Sequence, residues 1–479
     1  MKARILAPEN RKWWTLAALS FALFMIMLDN TVVNVALPSI ERDLKIGISE
    51  LEWVVTAYAL SFAVFLLSGG KLADRFGRRR VFLIGLTVFT LSSLACGLAG
   101  SAGMLIGARV VQGVGAALMM PATLSIISAV FAPRERGTAI GIWAGVSAMA
   151  LAIGPLIGGV LAEKANWNWI FFINVPVGAL GIVAALVLVP ESRDTSAVQR
   201  LDLPGLITSG IAVFALTYAL IEANTYGWTS ARILSLFALF AVSLGAFVLL
   251  ELRQRAPMLD LSLFRNGTFA GANTVALMVS LAMFGVFFFI SLFMQNILGY
   301  SAIKAGATFL PMTILIILVA PVAGTLSDRL GSRWLMAGGM VLVAGSLVDF
   351  AQLNTSSGFW DILPGLLIGG VGMALTMSPM TSAALSAVAV DKAGVASGVL
   401  NTFRQVGGSL GVAIGGAILA SYVSVSPRSP AFADQFVSGL QHALYTSAGI
   451  ALAAALVAAT TIRKKAAAPA AEAAEAIAA

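Results

Sequence analysis

Long runs of apolar residues alternate with short polar connectors along almost the whole chain. Each run has about 20 residues, the length that a helix needs to cross the hydrocarbon core of a bilayer. Strands of a membrane barrel would be only about 10 residues long and would alternate apolar with polar positions. The pattern therefore predicts fourteen membrane-spanning helices. The first, at 13–37, is too long for the apolar core of a cleaved signal sequence.

The composition agrees with this assignment and excludes several kinds of site. Of the 479 residues, 59% are hydrophobic and 11% are charged, whereas soluble domains have about 25% charged residues. Cys96 is the only cysteine and His442 the only histidine, so we expect no internal disulfide and no metal site built on these residues. The sequence indicates no cofactor.

The position of the basic residues predicts the orientation of the chain. Most of the 30 Lys and Arg side chains fall in every second connector, counted from the N-terminus. Cytoplasmic loops carry such an excess, so both termini are predicted to be cytoplasmic in a multi-pass protein of the inner (plasma) membrane. The net charge of +8 thus reflects contact with the bilayer and gives no reason to expect nucleic acid.

Two sequence patterns each occur twice. "GGKLADRFGRRRVF" at 69–82 is followed by "GTLSDRLGSRW" at 324–334, and the glycine pattern that begins at Gly137 returns at Gly394, at nearly the same offset. Two matches of this kind indicate two homologous halves. The predicted parts are a basic cytoplasmic N-terminus at 1–12, a six-helix bundle at 13–190, two extra helices at 203–251, a second six-helix bundle at 267–461 and an Ala-rich cytoplasmic tail at 466–479.

Four motifs in order resemble those of a known family. They are "LDNTVVNVALP" at 28–38, "GKLADRFGRRR" at 70–80, "ARVVQGVGAALMMPA" at 108–122 and "GPLIGGVL" at 154–161. The chain resembles the fourteen-span drug:proton antiporters of the major facilitator superfamily. The resemblance implies an all-α polytopic membrane protein with two six-helix bundles and two inserted helices, in which the first and fourth helices of each half line a central cavity.

Asp29 and Arg109 are the candidates for proton coupling. A carboxylate within a span costs about 2.5–3.5 kcal/mol on insertion scales, which makes Asp29 functional by default. The resemblance implies that Asp29 carries the proton and that Arg109, oriented by Gln112, is its partner. The alternatives are that Asp29 only makes hydrogen bonds within the bundle, helped by Asn30, and that Arg109 only binds backbone carbonyl groups.

The repeated loop is a candidate conformational latch. The resemblance implies that its aspartate braces neighbouring helices when the cytoplasmic side is shut, and the alternative is that the loop is only a basic anchor. The candidate latch residues are Gly70, Asp74, Arg75, Gly77 and Arg79 in the first copy, with Asp328 and Arg329 in the second.

The remaining candidates concern helix packing and the substrate. Gly154, Pro155, Gly158 and Gly159 allow close helix contact and a kink, and the resemblance implies that this helix prevents leakage. The substrate-cavity candidates are Asn30, Asn34, Gln112, Met283, Phe287, Gln295 and Met377. Methionine and phenylalanine dominate these helices, which favours lipophilic substrates, although each of these residues could equally be core packing. The role of Arg404, a charge near the middle of a span, is left open.

The sequence therefore predicts a secondary transporter that exports lipophilic drugs in exchange for protons, with alternating access. The alternative is a proton-coupled exporter of one endogenous metabolite or lipid. An enzyme is not expected because the longest connectors, at 191–202 and 252–266, are too short for a catalytic domain. A periplasmic adaptor is compatible with this architecture but no feature supports one. The energy of one proton, about 3.7 kcal/mol for a neutral drug at 100 mV and one pH unit, favours neutral or monocationic substrates.

Overall fold

A computed structural model describes residues 8–193, 202–254, 257–388, 393–425 and 429–463. The predicted Ala-rich tail at 466–479 and the first seven residues of the predicted N-terminal segment lie outside these described residues. The helices are α1 (Pro8–Leu44), α2 (Ile48–Phe76), α3 (Arg78–Gly97), α4 (Ala102–Val130), α5 (Pro133–Lys164), α6 (Trp169–Phe172), α7 (Asn174–Leu188), α8 (Leu203–Tyr226), α9 (Ala231–Arg253), α10 (Gly267–Leu292), α11 (Ala302–Thr308), α12 (Leu310–Leu330), α13 (Ser332–Phe350), α14 (Phe359–Ser386), α15 (Ala393–Tyr422) and α16 (Phe432–Thr461).

Thirteen spans within the described ranges are long and apolar enough to cross a membrane. Two of them join neighbouring helices, α6 with α7 and α11 with α12. The helix α5 adds a further 32 residues, or about 48 Å at 1.5 Å per residue, more than the thickness of a bilayer core. Large apolar side chains such as Leu180, Val242 and Leu456 are more than half exposed on the outside of the bundle. The predicted fold class, an all-α polytopic membrane protein, is confirmed.

The helix ends lie at two faces of the bundle that differ in charge. Lys12 at the start of α1 pairs with Glu135 at the start of α5, and Arg11 donates to the carbonyl of Leu188 at the end of α7. We call the face with these contacts the basic face. It also carries Arg75, Arg78, Arg79, Arg80, Arg253, Arg265, Arg329, Arg333 and Arg463. The opposite face carries Arg42, Lys45, Lys164, Arg232 and Lys304.

Glycines bring the helices of the first half close together. Gly113 of α4 lies against the carbonyl of Tyr58 and the side chain of Ser61 in α2, and a Cβ at this position would collide with both. Gly85 of α3 and Gly115 of α4 face each other in the same way. Small residues at such contacts let backbones approach in a bilayer. This packing places the inward side of α4 directly against α2 and near α1.

The two halves meet at the opposite face. Ser291 of α10 donates to the carbonyl of Asn34 at 2.9 Å, and Gln295 donates to the carbonyl of Val35 at 2.9 Å. The backbone N–H of Ile303 donates to Glu163 of α5 at 3.0 Å. Apolar residues of α1 and α10 belong to one continuous core here. The inserted helix α8 packs on the outside, against α2 and α15. The structure is therefore closed at the opposite face.

Candidate functional site

Asp29 lies within α1 and has no accessible surface (0% exposed). Its carboxylate is surrounded by donors from two other helices. Arg109 of α4 donates from Nη1 to Oδ2, and together they form an ion pair. Gln112 donates to Oδ1 at 2.9 Å, and Asn174 at the start of α7 donates to the same oxygen at 3.2 Å. The structure thus brings the predicted pair and Gln112 into one cluster and adds Asn174.

Arg109 is held by more than its ion pair. Its Nε donates to the carbonyl of Val54 in α2 at 3.1 Å, and its Nη1 donates to Oε1 of Gln112 at 2.8 Å. The guanidinium carbon lies 4.2 Å from the centre of the Tyr58 ring, a distance at which the ring attracts a cation. The side chain is 1% exposed. The guanidinium is thereby fixed between α1, α2 and α4.

Sequence reasoning missed Asn174, Ser93 and Tyr58. The amide of Asn174 also donates to Oγ of Ser93 in α3 at 3.0 Å, and Ser93 donates to the carbonyl of Phe171 at 2.9 Å. These contacts lie at the junction between α6 and α7. An amide two residues before Pro176 within an apolar run was the available signal, since proline there accompanies an irregular helix start.

The cluster can hold one negative charge in a site that excludes water. While the opposite face is closed, the guanidinium balances the charge of the carboxylate and the two amides donate hydrogen bonds to it. A proton on Asp29 would remove the charge that Arg109 pairs with. Removing only one charge of a buried pair is strongly unfavourable, so the charges of Asp29 and Arg109 stabilise each other.

The first copy of the repeated loop joins three helices of the first half. Asp74 at the end of α2 accepts a 2.9 Å hydrogen bond from Nε of Arg78 at the start of α3, and the two form an ion pair. Arg78 also reaches the carbonyl of Ser125 in α4 at 3.3 Å. The turn passes through Gly77 at φ 109°, a conformation that favours glycine. Sequence reasoning missed Arg78 because the second copy of the loop lacks it.

The same loop is bound to the segment that follows α7. Glu191 accepts a hydrogen bond from the backbone N–H of Arg79 at 3.1 Å, and its carboxylate lies where a side chain on Gly77 would be. The guanidinium of Arg79 donates to the carbonyl of Leu186 at 3.0 Å. Arg75 is exposed and lies over the ring of Phe76. The contacts of Asp74, Arg78 and Arg79 therefore connect α2, α3, α4 and α7, whereas Arg75 contacts solvent.

The remaining latch candidates make fewer contacts. Gly70 in α2 faces Pro121 of α4 at ordinary contact distance. In the second copy, Gly331 has φ 88° and Ser327 and Ser332 are hydrogen-bonded at 2.8 Å. Arg329 is exposed, and the side chain of Asp328 lies outside the described part of the chain. The second turn therefore repeats the backbone of the first.

Asp74→Asn tests the latch. We expect the turnover rate to fall several-fold while substrate affinity stays within about twofold, because the amide keeps the shape of the side chain but loses the charge-assisted bond to Arg78. Transport rates and substrate binding of the reconstituted protein measure the two effects. Arg265→Gln, at an exposed position of the basic face, controls for the loss of a charge. Equal rates for Asp74→Asn and the wild type would leave the loop only an anchoring role.

The glycines of α5 pack against both halves. Gly154 lies against Thr31 of α1, Gly158 against the carbonyl of Val32, and Gly159 against the carbonyl of Ala302 in α11. Pro155 lies inside α5, and its carbonyl contacts Gly306 of α11. The motif therefore lies at the contact between the halves, beside the closed opposite face.

A matched pair of alanine substitutions tests this packing. A Cβ on Gly158 would lie 2.6 Å from the carbonyl of Val32, whereas a Cβ on Gly145 of the same helix meets nothing within 4 Å. Alanine is favoured over glycine in helices by about 1 kcal/mol. We expect Gly158→Ala to lower the thermal denaturation temperature by several degrees and Gly145→Ala to maintain or raise it. Equal melting temperatures for the two variants would contradict close packing at Gly158.

The substrate-cavity candidates do not form a single surface in this state. The backbone at Asn34 and the side chain of Gln295 belong to the closure at the opposite face. Met283 is buried in the core, and Phe287 packs on Phe309 with ring centres 5.3 Å apart. The other three lie elsewhere: Gln112 in the Asp29 cluster, Asn30 half-buried in α1, and Met377 half-buried in α14.

Glu52 is a second buried carboxylate that sequence reasoning missed. It is 2% exposed in α2 and lies against Gly416 of α15, where any larger residue would displace it. Its Oε2 has no hydrogen-bond partner among the described residues. Glu222 of the inserted helix α8 lies close enough to repel its charge. The inserted helix α8 therefore lies beside the contact between the two halves at this point.

The fold and the buried ion pair together define a polytopic helical membrane protein with paired charges inside its first half. The chain belongs to the Major Facilitator Superfamily, whose family model matches residues 19–412. The resemblance noted from the motifs is thereby confirmed.

Several named relatives are similar over most of the chain. The "Multidrug resistance protein Stp" of Mycobacterium tuberculosis (strain CDC 1551 / Oshkosh) is 40% identical over 414 residues, 86% of this chain and 76% of the relative. The "Tetracenomycin C resistance and export protein" of Streptomyces glaucescens is 36% identical over 87% of this chain and 77% of its own. The "Puromycin resistance protein pur8" of Streptomyces alboniger is 36% identical over 94% and 91%.

Solved structures share the fold at low sequence identity. A bacterial homologue of the human lysosomal transporter Spinster, in an inward-facing and unoccupied conformation, has a TM-score of 0.67 at 19% identity. It covers 95% of this chain and 98% of its own. A peptide transporter, POT, in complex with sulfate has a TM-score of 0.64 at 16% identity, with 93% of each chain covered. These likenesses establish the fold only.

Proposed function

We propose that this protein is a proton-coupled exporter of lipophilic drugs in the plasma membrane, with both termini cytoplasmic. The observation that carries the proposal is the sealed pair of Asp29 and Arg109 in the first half. A buried ionisable pair within spans is typical of proton pathways in transporters. The printed names of the relatives, which include multidrug, tetracenomycin C and puromycin resistance proteins, support a drug as the cargo.

The proposed cycle uses closure at the opposite face, which is the outer side in this orientation. In the state described here, Val32, Val33 and Ala36 of α1 belong to the core that joins the halves, just beyond Asp29. Separation of the halves at that face would remove this cover and admit a proton. Protonated Asp29 would free Arg109, and return to the closed state would carry the proton to the basic, cytoplasmic side in exchange for drug. The contacts of α5 with α1 and α11 would limit leakage.

Drug-induced proton release in proteoliposomes tests the proposal. We expect several chemically unrelated lipophilic drugs to change the pH inside proteoliposomes that contain the protein. Empty liposomes should show no pH change. A response to only one compound in the panel would favour the alternative, a dedicated exporter of one metabolite or lipid. Transport without any proton movement would contradict the coupling.

A further inference from the structure

Arg404 is a charge within the bundle that has no counter-ion among the residues that the structure describes. It lies in the middle third of α15, and no carboxylate of the described chain is within ion-pair distance of it. Within the described ranges its one polar contact joins Nη2 to Sδ of Met377 in α14, at 4.0 Å. A charged side chain inside a membrane protein normally pairs with another or with backbone carbonyl groups. Arg404 does neither among the described residues.

Comparison with two other positions indicates that packing does not require this charge. In the alignment of the two repeats that matches Gly137 with Gly394, Ser147 is the residue equivalent to Arg404. The first half therefore has no cation at this position. Arg109 is also buried within a span, but an ion pair and hydrogen bonds occupy its guanidinium. Arg404 keeps part of its surface accessible. No carboxylate or backbone carbonyl of the described residues occupies its donors, which leaves them available for a ligand.

The surface around Arg404 is otherwise adaptable and mostly apolar. Met373 and Met377 follow each other on one side of α14 and are half-buried. Asn401 lies one turn before Arg404 on α15, and its side-chain amide donates a 2.9 Å hydrogen bond to the carbonyl of Ser397. Methionine side chains adjust to ligands of different shape. This surface matches a ligand with a lipophilic body and one group that accepts hydrogen bonds from a guanidinium.

We propose that Arg404 binds the anionic group of lipophilic substrates, chiefly carboxylates and phenolates, a substrate class that rests on the drug-export function proposed above. A guanidinium binds a carboxylate through two parallel hydrogen bonds, and it repels a cation at the same place. The substrate class departs from the neutral or monocationic cargo that the proton energetics favoured. When a monovalent anion leaves in exchange for an entering proton, both movements transfer one elementary charge in the same electrical direction. Each elementary charge contributes roughly fifty-fold accumulation per 100 mV.

Binding of three matched probes to the purified full-length protein tests this site. The probes are a dansyl-labelled alkyl carboxylate, its methyl ester and the dansyl alkylamine of equal chain length, followed by dansyl fluorescence. We expect the wild type to bind the carboxylate most tightly and the amine most weakly. Arg404→Gln should weaken carboxylate binding about 10- to 100-fold, since a charge-assisted bond is lost, and change ester binding less than threefold. Arg404→Lys should bind the carboxylate with intermediate affinity, because lysine keeps the positive charge but lacks the planar guanidinium that forms two parallel hydrogen bonds.

Controls separate this proposal from the proposed function. Arg265→Gln removes one exposed positive charge and should leave all three affinities unchanged. If the wild type binds carboxylate and ester equally, or if Arg404→Gln weakens all three probes alike, the anion site is refuted whatever the protein transports. If the carboxylate preference is found but no probe or drug moves protons in liposomes, the anion site stands and the antiport function fails.

Discussion

Asp29→Asn is expected to abolish proton coupling, while the protein still folds and binds drug but is less stable, because Arg109 is left as a buried charge without its partner. Asparagine has the shape of aspartate and keeps one oxygen, which can accept either from Arg109 or from Gln112 and Asn174, but it cannot take up or release a proton. Drug-induced pH change in proteoliposomes should disappear. Drug accumulation driven by a pH gradient should lose its factor of about ten per pH unit. Exchange of labelled for unlabelled drug, which needs no net proton movement, should continue.

The control for this substitution is Asp361→Asn. Asp361 is an exposed acid at the start of α14, where it accepts a hydrogen bond from the backbone N–H of Gly358, and the side-chain oxygen of asparagine can accept the same bond. This variant removes one carboxylate far from the cluster, so its coupling should equal that of the wild type. A normal pH response from Asp29→Asn would remove Asp29 from the mechanism. Loss of exchange together with coupling would show a structural role in place of a carrier role.

Arg109→Gln is expected to destabilise the protein more than the double variant Asp29→Asn/Arg109→Gln. Removing Arg109 alone leaves a buried carboxylate whose partner is gone, and breaking a buried pair in this way costs about 3–5 kcal/mol. Removing both charges leaves two amides that can bond to each other and to Gln112. Thermal denaturation in detergent should therefore show a large loss for the single variant and substantial recovery for the double variant, with no coupling in either.

The four melting curves form a double-mutant cycle. Contacting residues of this kind give interaction energies of about 0.5–3 kcal/mol, and we expect a value at or above the upper end. Arg109→Lys is the conservative control: it keeps a positive charge near Asp29 but loses the separate bonds to Val54 and Gln112, so its stability should be intermediate. If losses from the two single substitutions simply add in the double variant, then Asp29 and Arg109 do not depend on each other.

Much of the fold could be read from the chain because each span is decided locally. A run such as 13–37 enters a bilayer on the strength of its own residues, and the number and order of such runs gave the fold class. The two copies of the loop and of the glycine pattern indicated duplication. Asp29 and Arg109 were recognisable one by one because a charge within an apolar run is costly wherever its partner lies.

The sequence by itself determined the helices, their order, the family motifs and the charges that interrupt them, since these depend on residues close together in the chain. Only the tertiary structure decided the contacts: Asn174 on Asp29, Arg78 on Asp74, Glu52 against Gly416, and Arg404 without an acidic partner in the part of the chain that the structure describes. Such contacts join helices that are far apart in sequence, and they depend on how glycine contacts set the rotation and depth of each helix. No local pattern records that arrangement, because a helix presents the same sequence whichever of its faces a neighbour covers.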